Sequence, residues 1–329
     1  MKQVNNEPCW RPSASLEAIK ARGALLAAVR DYFRQASVLE VETPACSAFA
    51  VTDPALCSLT THYTGPGAAS GRELYLHTSP EFPMKRLLAA GSGPIYQICK
   101  VFRNGEAGRI HNPEFTLLEW YRPGFNQHQL MDEVAGLIQA VLPHPGPVHR
   151  VSYAELFQSH LGIDSHTSSA DLLRLCAIEQ QIPGADSLAL STTDAWLDLL
   201  LTHCIEPRLE QGLCFVYDYP VTQASLAKIR PGDLAVAERF ELYMDGLEIA
   251  NGFHELADAV EQRSRFEQEL LQRRDEGCPQ VPMDEYLLQA LDAGLPDCSG
   301  VALGIDRLLM QAMGVDNIDQ VIAFPFARA

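Results

Sequence analysis

Residues 102–121 read FRNGEAGRIHNPEFTLLEWY, and this stretch predicts two β-strands joined by a glycine-containing loop. Every second side chain before and after the loop points to one face of such a hairpin. These side chains belong to Gln97, Cys99, Val101, Arg103, Phe115, Leu117, Glu119 and Tyr121. The face would offer a planar guanidinium group for a phosphate and an aromatic ring for a base. Taken alone, an ordinary half-buried hairpin with a charged loop explains the pattern about equally well.

A second stretch, residues 300–310, leads into a predicted amphipathic helix. Its apolar stripe follows the i, i+3, i+4 spacing and consists of Ile305, Leu308, Leu309, Ala312 and Met313. Arg307 lies off this stripe near the helix start, where backbone N–H groups and the helix dipole favour an anion. Gly304 just before it allows close backbone approach. The alternative is an arginine on a solvated helix face.

A third stretch, residues 239–255, predicts a hairpin whose two-residue turn is Asp245-Gly246. In this register Glu241 lies opposite Ala250, and Glu248 shares the face of Ala250. The two carboxylates would therefore converge, and such a pair suits Mg²⁺, a hard cation that prefers oxygen ligands. The alternative is two solvated glutamates on an exposed sheet face.

The order, spacing and wording of these stretches resemble the class II aminoacyl-tRNA synthetases, specifically the lysyl-tRNA synthetase group. Motifs 1, 2 and 3 of that class correspond to residues 39–44, 102–121 and 300–310. Residues 78–81 and 248–255 resemble the amino-acid and metal segments of the group. The resemblance implies an α+β fold: a catalytic domain whose antiparallel sheet is flanked by helices, in a homodimer built on the motif 1 region.

The position of motif 1 refines this expectation. The motif begins near residue 39, so we expect no N-terminal OB-fold for reading an anticodon. The formal net charge of −17 is opposite to the basic face that a protein gripping RNA normally shows, and we expect no stable tRNA binding. We expect one catalytic domain over residues 1–329, with a mainly helical insertion at about residues 125–213.

Within the class, the chain resembles one family closely, the truncated synthetase paralogues that ligate (R)-β-lysine to elongation factor P. The matching phrases are Thr52-Asp53, Met84 to Leu88, Leu118 to Pro123 and Pro296 to Gly304. Ala302 discriminates, because lysyl-tRNA synthetases tend to have glycine at this point and the ligase family has alanine. A methyl group there would reshape the floor of the amino-acid pocket.

The resemblance implies a two-step reaction with ATP and Mg²⁺. The carboxylate of (R)-β-lysine attacks the α-phosphorus of ATP, and the adenylate then acylates the ε-amine of a lysine on elongation factor P. By resemblance, Arg103 and Arg307 are catalytic and bind the α- and γ-phosphates, while Glu241 and Glu248 hold the metal. The other residues expected at ATP are Asn104, Glu106, Asn112, Phe115, Glu248, Ile249 and Gly304.

The amino-acid pocket is expected to contain several acids, because β-lysine brings two ammonium groups that each favour a carboxylate partner. By resemblance the pocket residues are Ser79, Pro80, Glu81, Glu119, Tyr121, Asn251, Glu255 and Ala302. One departure from the family concerns motif 2, which usually reads Arg-Asn-Glu but here reads Arg103-Asn104-Gly105-Glu106. Either the flexible glycine lets Glu106 reach the usual place, which we favour, or that contact with ATP is lost.

Two other functions are compatible with parts of this pattern. One is a free-standing lysyl-tRNA synthetase-like enzyme that charges a tRNA or another small acceptor. The other is a catalytically weak paralogue that binds a nucleotide or amino acid for regulation. The complete set of arginines and paired glutamates argues against the second, and the expected lack of an OB-fold argues against the first.

The remaining sequence gives weaker indications. Nine cysteines without a CxxC pair indicate scattered thiols in a reducing cytoplasm, so we expect neither zinc nor disulfides. A polar N-terminus and the lack of a long apolar run indicate neither a signal peptide nor a membrane span. Helices are expected at about residues 15–35 and 127–141, and the arginines of residues 263–274 are expected on a solvated helix face.

Overall fold

The computed structural model describes residues 10–68 and 70–329. Cys9 and the polar N-terminal residues mentioned above lie outside these ranges. The strands are β1 (Leu39–Glu40), β2 (Cys46–Ser47), β3 (Thr60–Tyr63), β4 (Arg72–Leu76), β5 (Ile95–Phe102), β6 (Glu114–Pro123), β7 (Val148–Ser152), β8 (Leu213–Tyr219), β9 (Ile229–Arg230), β10 (Val236–Met244), β11 (Leu247–His254) and β12 (Cys298–Gly304). The α-helices are α1 (Leu16–Gln35), α2 (Glu81–Ala89), α3 (Gln127–Val141), α4 (Tyr153–Leu161), α5 (Ala170–Glu179), α6 (Thr193–Leu200), α7 (Ala259–Asp275), α8 (Glu285–Gly294) and α9 (Ile305–Met313).

A large mixed sheet forms the centre of the fold. Its strand order is β1-β5-β6-β12-β11-β10-β8-β7, and β9 pairs with β10 outside this path. The β1–β5 and β7–β8 pairs are parallel, and the pairs between them are antiparallel. A small sheet of order β2-β4-β3 stands apart from it. The α+β class and the predicted antiparallel sheet flanked by helices are therefore confirmed.

Local signals in the sequence define the predicted helices. α1 begins after Ser15, whose hydroxyl accepts a hydrogen bond from the backbone N–H of Ala18 at 3.1 Å. α3 begins after Asn126, which forms a reciprocal capping box with Gln129. Both helices were predicted with nearly these bounds. In α9 the predicted stripe is buried at Ile305, Leu308 and Leu309, whereas Met313 is half-buried and Ala312 is exposed near the helix end.

Three hydrophobic clusters connect the helices to the sheet. The first packs α1, α3 and α9 on the central strands through residues such as Phe33, Val134 and Leu308. The second joins α4, α5 and α6 to the end of the sheet at β8. The third joins α2, α7 and α8 through Met84 and Phe266, among others. Of the predicted insertion at about residues 125–213, α3 packs with the first cluster and the later helices with the second.

One row of paired residues crosses five strands and organises the face of the sheet. Glu241 pairs with Asn251, Asn251 with Ala302, Ala302 with Glu119, and Glu119 with Gln97. Directly paired residues put their side chains on the same side of a sheet. The row therefore brings together four predicted site residues from separate parts of the sequence.

The predicted register of the β10–β11 hairpin is wrong by one residue beyond its turn. Tyr243 pairs with Glu248 as expected, but Glu241 lies opposite Asn251 and not Ala250, because a β-bulge interrupts the ladder after Leu242. A bulge puts an extra residue into one strand and re-aims the side chains around it. Glu241 and Glu248 still converge, although the sequence pattern does not reveal the bulge.

The expectation of a solvated arginine face on α7 is also wrong in part. Arg273 is buried and donates to the backbone carbonyls of Pro279 and Asp53 at 3.0 and 2.9 Å. Arg265 donates to the backbone carbonyls of Ser225 and Ala227 at 2.7 and 2.8 Å. These arginines connect α7 to neighbouring loops, a role that the alternation of charges along the helix does not indicate.

Candidate active site

A cavity of about 570 Å³ opens over the row of paired residues. Twelve predicted site residues line it: Ser79, Glu81, Arg103, Glu106, Asn112, Phe115, Glu248, Ile249, Asn251, Ala302, Gly304 and Arg307. Four more are buried and do not line the cavity: Glu119, Tyr121, Glu241 and Glu255. The other two predicted residues, Asn104 and Pro80, do not line the cavity. Asn104 is exposed on its loop, and Pro80 directly precedes α2.

We call the part of the cavity around Arg103, Phe115, Glu248 and Arg307 the arginine region. The Arg103 guanidinium lies over the Phe115 ring, 5.1 Å from its centroid, so the planar cation and the aromatic ring are presented together. Arg307 donates to the backbone carbonyl and to the carboxylate of Glu248 at 2.9 and 3.1 Å. Both guanidinium groups are partly exposed to the cavity, and this suits the binding of a polyphosphate.

The unusual motif 2 loop keeps its acid close to the first arginine. Gly105 has a φ of +86°, a backbone conformation that glycine adopts without steric cost. Glu106 then lies with its carboxylate 3.7 Å from the Arg103 guanidinium and lines the cavity. The inserted glycine therefore leaves an acid at the edge of the arginine region.

Asn112 lines the arginine region, but its side chain is occupied by the backbone. Its amide group donates to the Glu114 carbonyl at 2.6 Å, and its amide oxygen accepts from the Phe326 backbone N–H at 2.9 Å. These two hydrogen bonds hold the segment that leads into β6 against the C-terminal segment of the chain. A direct contact between the Asn112 side chain and a nucleotide would require one of these bonds to be exchanged.

We call the buried set of Glu81, Lys85, Glu119 and Glu255 the acid region. Lys85 lies 2.6 Å from a carboxylate oxygen of Glu81 and 2.6 Å from one of Glu255. Glu119 accepts hydrogen bonds from the Ser79 hydroxyl at 2.7 Å and from the Tyr121 hydroxyl at 2.6 Å. Lys85 thus contacts two of the three carboxyl groups, while Glu119 is held by two neutral hydroxyl groups.

The pKa values of the acid region reflect the burial of its carboxyl groups and their closeness to one another. Burial, together with the neighbouring Glu81, raises the pKa of Glu119 from 4.5 to about 8. Burial also raises the pKa of Glu255 to about 7, although Lys85 opposes the shift. Burial disfavours the charge of Lys85, but Glu255 and Glu81 outweigh it and hold the lysine pKa above its ordinary value. Ammonium groups of a ligand would favour the ionised form of these carboxyl groups and so lower their pKa values.

Gly300 makes room for the acid region in the middle of β12. A Cβ atom at this position would lie 2.3 Å from the Tyr121 ring and 2.5 Å from a carboxylate oxygen of Glu255. Real Cβ atoms do not approach other atoms so closely, so any side chain here would push Tyr121 or Glu255 away. The glycine is therefore required by the packing of two predicted pocket residues.

The residues predicted to hold a metal fit only part of a coordination sphere. Glu241 is engaged on both oxygens, by the Arg239 guanidinium and by the Tyr243 hydroxyl. Glu248 faces the cavity, and burial together with the nearby Glu241 raises its pKa. No group of three or more metal-binding side chains occurs in residues 10–68 and 70–329. The pair fits a hard cation that takes its remaining oxygen ligands from phosphate and water.

Comparison with known proteins decides the family. A family model described as class II tRNA synthetases (D, K and N) matches residues 9–328. The chain belongs to this family. The class II resemblance of the three sequence motifs is thus confirmed over nearly the whole chain.

Three curated relatives that share about half of their residues with this chain carry one name. An elongation factor P–(R)-β-lysine ligase of Erwinia tasmaniensis is 52% identical over 328 residues, covering 99% of this chain and 100% of the relative. Ligases of the same name from Vibrio campbellii and Klebsiella pneumoniae are 51% and 50% identical, over 323 and 321 residues. These matches cover 97% of this chain in both cases and 99% and 98% of the two relatives. The closer resemblance to the ligase family is therefore confirmed as well.

Several residues of this class II site were missed by the sequence analysis. The sequence does indicate a partner for Lys85. This lysine stands four residues after Glu81 on one helix, which is the spacing of an intrahelical ion pair. Arg239 has a weaker signal, since it shares a strand face with Glu241. His111 lies 2.8 Å from Arg307 and accepts its hydrogen bond; burial, then Arg307, lowers the pKa of His111. Its pairing depends on the folded chain and has no sequence signal.

Proposed function

We propose that the chain activates (R)-β-lysine with ATP and transfers it to the ε-amine of a lysine on elongation factor P. One observation carries the proposal: the arginine region lines the same cavity as Glu81, the residue through which the acid region reaches it. A polyphosphate and a diamino acid can therefore be held side by side in one site. The full-length similarity to ligases of this name supports the choice of amino acid and acceptor.

In the first step, the carboxylate of the amino acid attacks the α-phosphorus of ATP, and pyrophosphate leaves. Arg103 would neutralise the charge that develops at the α-phosphate, with Phe115 stacked on the adenine. Arg307 would hold the γ-phosphate after exchanging its contact with Glu248. Preorganised cations of this kind stabilise a transition state without reorganisation during the step. Magnesium, held by Glu248 and Glu241 together with the phosphates, would supply further charge neutralisation.

The acid region would hold the two ammonium groups of the amino acid. Lys85 contacts two of the three carboxyl groups, and the pKa values of Glu119 and Glu255 are raised to about 8 and about 7. The two ammonium groups of the substrate would favour the ionised form of these acids, whereas an amino acid with a single ammonium group would bring one such charge fewer. Ala302 lies between Asn251 and Glu119 in the cross-strand row, so its methyl group would shape the floor on which the amino groups are positioned.

We further propose an oligomeric state, a domain organisation and a cellular location for the chain. The exposed side chains of Leu16 on α1 and Leu39 on β1, 72% and 56% accessible, would be covered in a homodimer formed by the motif 1 region. Residues 1–329 would act as one catalytic domain in the cytoplasm, where a translation factor and ATP are available, with the insertion at about residues 125–213 completing it. A helix able to span a membrane is absent from the part of the chain that the structure describes.

The proposal is tested with the purified chain, ATP and (R)-β-lysine, to which either elongation factor P or total tRNA is added. We expect AMP release, a gain of one β-lysyl group in the mass of the factor, and uncharged tRNA. Charged tRNA with an unmodified factor would instead identify a minimal synthetase. AMP release with neither acceptor changed would retain the activation step and refute the acceptor.

A further inference from the structure

The cavity extends beyond the arginine and acid regions into a third part, which we call the outer region. A loop of residues 46–58 forms one wall of it, and helices α7 and α8 form the other. Its lining includes Phe49, Asp53, Phe266, Glu269 and Tyr286. The activation step as described above uses none of these residues.

The loop wall is held in place from both of its sides. On one side, the backbone N–H of Asn104, next to Arg103, donates to the Cys57 carbonyl at 2.7 Å. On the other side, the buried Arg273 of α7 donates to the Asp53 carbonyl at 2.9 Å, and the Thr52 hydroxyl donates to the Glu269 carboxylate. The loop wall thus links α7 to Asn104, the residue next to Arg103, and we call the space along this wall the passage.

The lining of this passage matches a long side chain with a cationic end. Phe49 and Tyr286 meet edge to face with ring centroids 5.2 Å apart, and Phe266 adds a buried ring. Aromatic walls suit a chain of methylene groups, and carboxylates suit the ammonium group at its end. Asp53 and Glu269 supply such carboxylates.

We propose that the outer region holds the side chain of the acceptor lysine and that Glu269 takes the proton from its ammonium group. The inference rests on the proposed function, because an adenylate formed beside Arg103 must be reached by an amine from outside the cavity. The protonated lysine carries no free electron pair, so it must lose a proton before it can attack. A carboxylate in the passage provides a place for that proton.

The transfer moves the β-lysyl group from the adenylate to the lysine nitrogen in two steps. The lysine ammonium group gives one proton to the Glu269 carboxylate, and the neutral nitrogen attacks the carbonyl carbon of the adenylate. A carbon–nitrogen bond forms, and the bond between that carbon and the phosphate oxygen breaks. AMP leaves with the bonding electron pair and carries away, on its phosphate, the second proton lost by the nitrogen.

The surroundings of Glu269 support its acting near neutral pH. Burial raises the pKa of its carboxyl group from 4.5 to about 7, and Asp53 adds to this shift. The Thr52 hydrogen bond and the charges of Arg265 and Arg273 act in the opposite direction. A general base is most effective when its pKa lies near the working pH.

The test separates adenylate formation from transfer in the Glu269→Gln variant. Adenylate formation is followed by pyrophosphate exchange, and transfer by a single turnover of preformed adenylate with elongation factor P or with N-acetyl-lysine amide. We expect transfer to both acceptors to fall by about 10²-fold, the lower range for a general base, and to lose its inflection near pH 7. Adenylate formation reports that the variant is folded. Glu267→Gln, at an exposed position of the same helix, is the matched control and should transfer normally.

A second variant tests the passage itself. Phe49→Trp should narrow it and slow transfer to the protein acceptor by more than tenfold, a loss that general-base removal alone does not predict. Normal transfer in both Glu269→Gln and Phe49→Trp would overturn the inference. If the wild-type chain acylates N-acetyl-lysine amide but not elongation factor P, the proposed protein acceptor is wrong. A lower rate of transfer to the small amine in Glu269→Gln would still support the proposed role of Glu269.

Discussion

The arginine and acid regions hold their charges in opposite ways within one cavity. Arg103 and Arg307 remain 27% and 20% accessible, each near an acid that a phosphate could replace. Lys85 and Glu255 are 2% and 1% accessible and contact each other at 2.6 Å. The first arrangement suits a ligand that brings its own counter-charge through solvent. The second arrangement buries several carboxyl groups around one lysine. Removal of the lysine should therefore affect the stability of the fold as well as ligand binding.

The largest expected effect comes from Lys85→Met, which removes the internal cation but keeps the volume of the side chain. Breaking a buried ion pair by removing one partner costs about 3–5 kcal/mol, because the remaining charge is left uncompensated. We expect a loss of this size in the free energy of unfolding, measured by urea denaturation.

The control for this change is Lys100→Met on β5, where the lysine is 47% accessible and lies 3.8 Å from Glu114. Exposed pairs contribute roughly 0–1 kcal/mol, so the control should unfold almost like the wild type. Equal stabilities of the two variants would show that the acid region does not depend on its internal cation, and the contrast between the two regions would disappear.

The second effect concerns catalysis without stability. Arg103→Ala should lower pyrophosphate exchange by about 10²–10³-fold, the usual cost of losing one electrostatic donor to a transition state. Its unfolding should change little, since the guanidinium group is partly exposed. Arg274→Ala, on an exposed side chain of α7, is the control for both measurements. Exchange at a near-normal rate in Arg103→Ala would remove the arginine from the proposed step.

Sequence reasoning succeeded where the signal is local or where a motif is nearly complete. The alternation around residues 97–121 gave the correct face of β5 and β6, and the caps gave the ends of α1 and α3. It failed at the β10–β11 bulge, because a period of two cannot reveal an extra residue in the ladder. It also failed for Arg273, whose partners are backbone carbonyls of distant loops.

The composition of the candidate site shows the same limit. Twelve predicted residues line one cavity, because the resemblance to the class II motifs carries long-range information that periodicity lacks. Lys85 was missed although its spacing from Glu81 is a recognisable signal. Its other partner, Glu255, follows the end of β11, 170 positions further along the chain, and only the fold brings the three groups together.

The ionisation of Glu119 in the acid region should make ligand binding stabilise the chain in a pH-dependent way. Glu119 has a pKa of about 8 in the fold against 4.5 ordinarily. The unfolded chain therefore releases this proton at lower pH than the folded chain, and stability falls as the pH rises from about 4.5 to 8. Saturating ATP and (R)-β-lysine should restore the loss, so the ligand-induced increase in Tm should grow over this range. Glu119→Gln should flatten that growth, because the variant has no proton to release at this position.

The matched variant for the pH series is Glu114→Gln, which removes an exposed carboxylate at the start of the same strand. It should leave the pH dependence of the ligand effect unchanged, because Glu114 lies outside the acid region and does not line the cavity. If the wild-type ligand effect were independent of pH, the acids would already be ionised without substrate. The buried charge would then be balanced within the protein, and the acid region would resemble the arginine region after all.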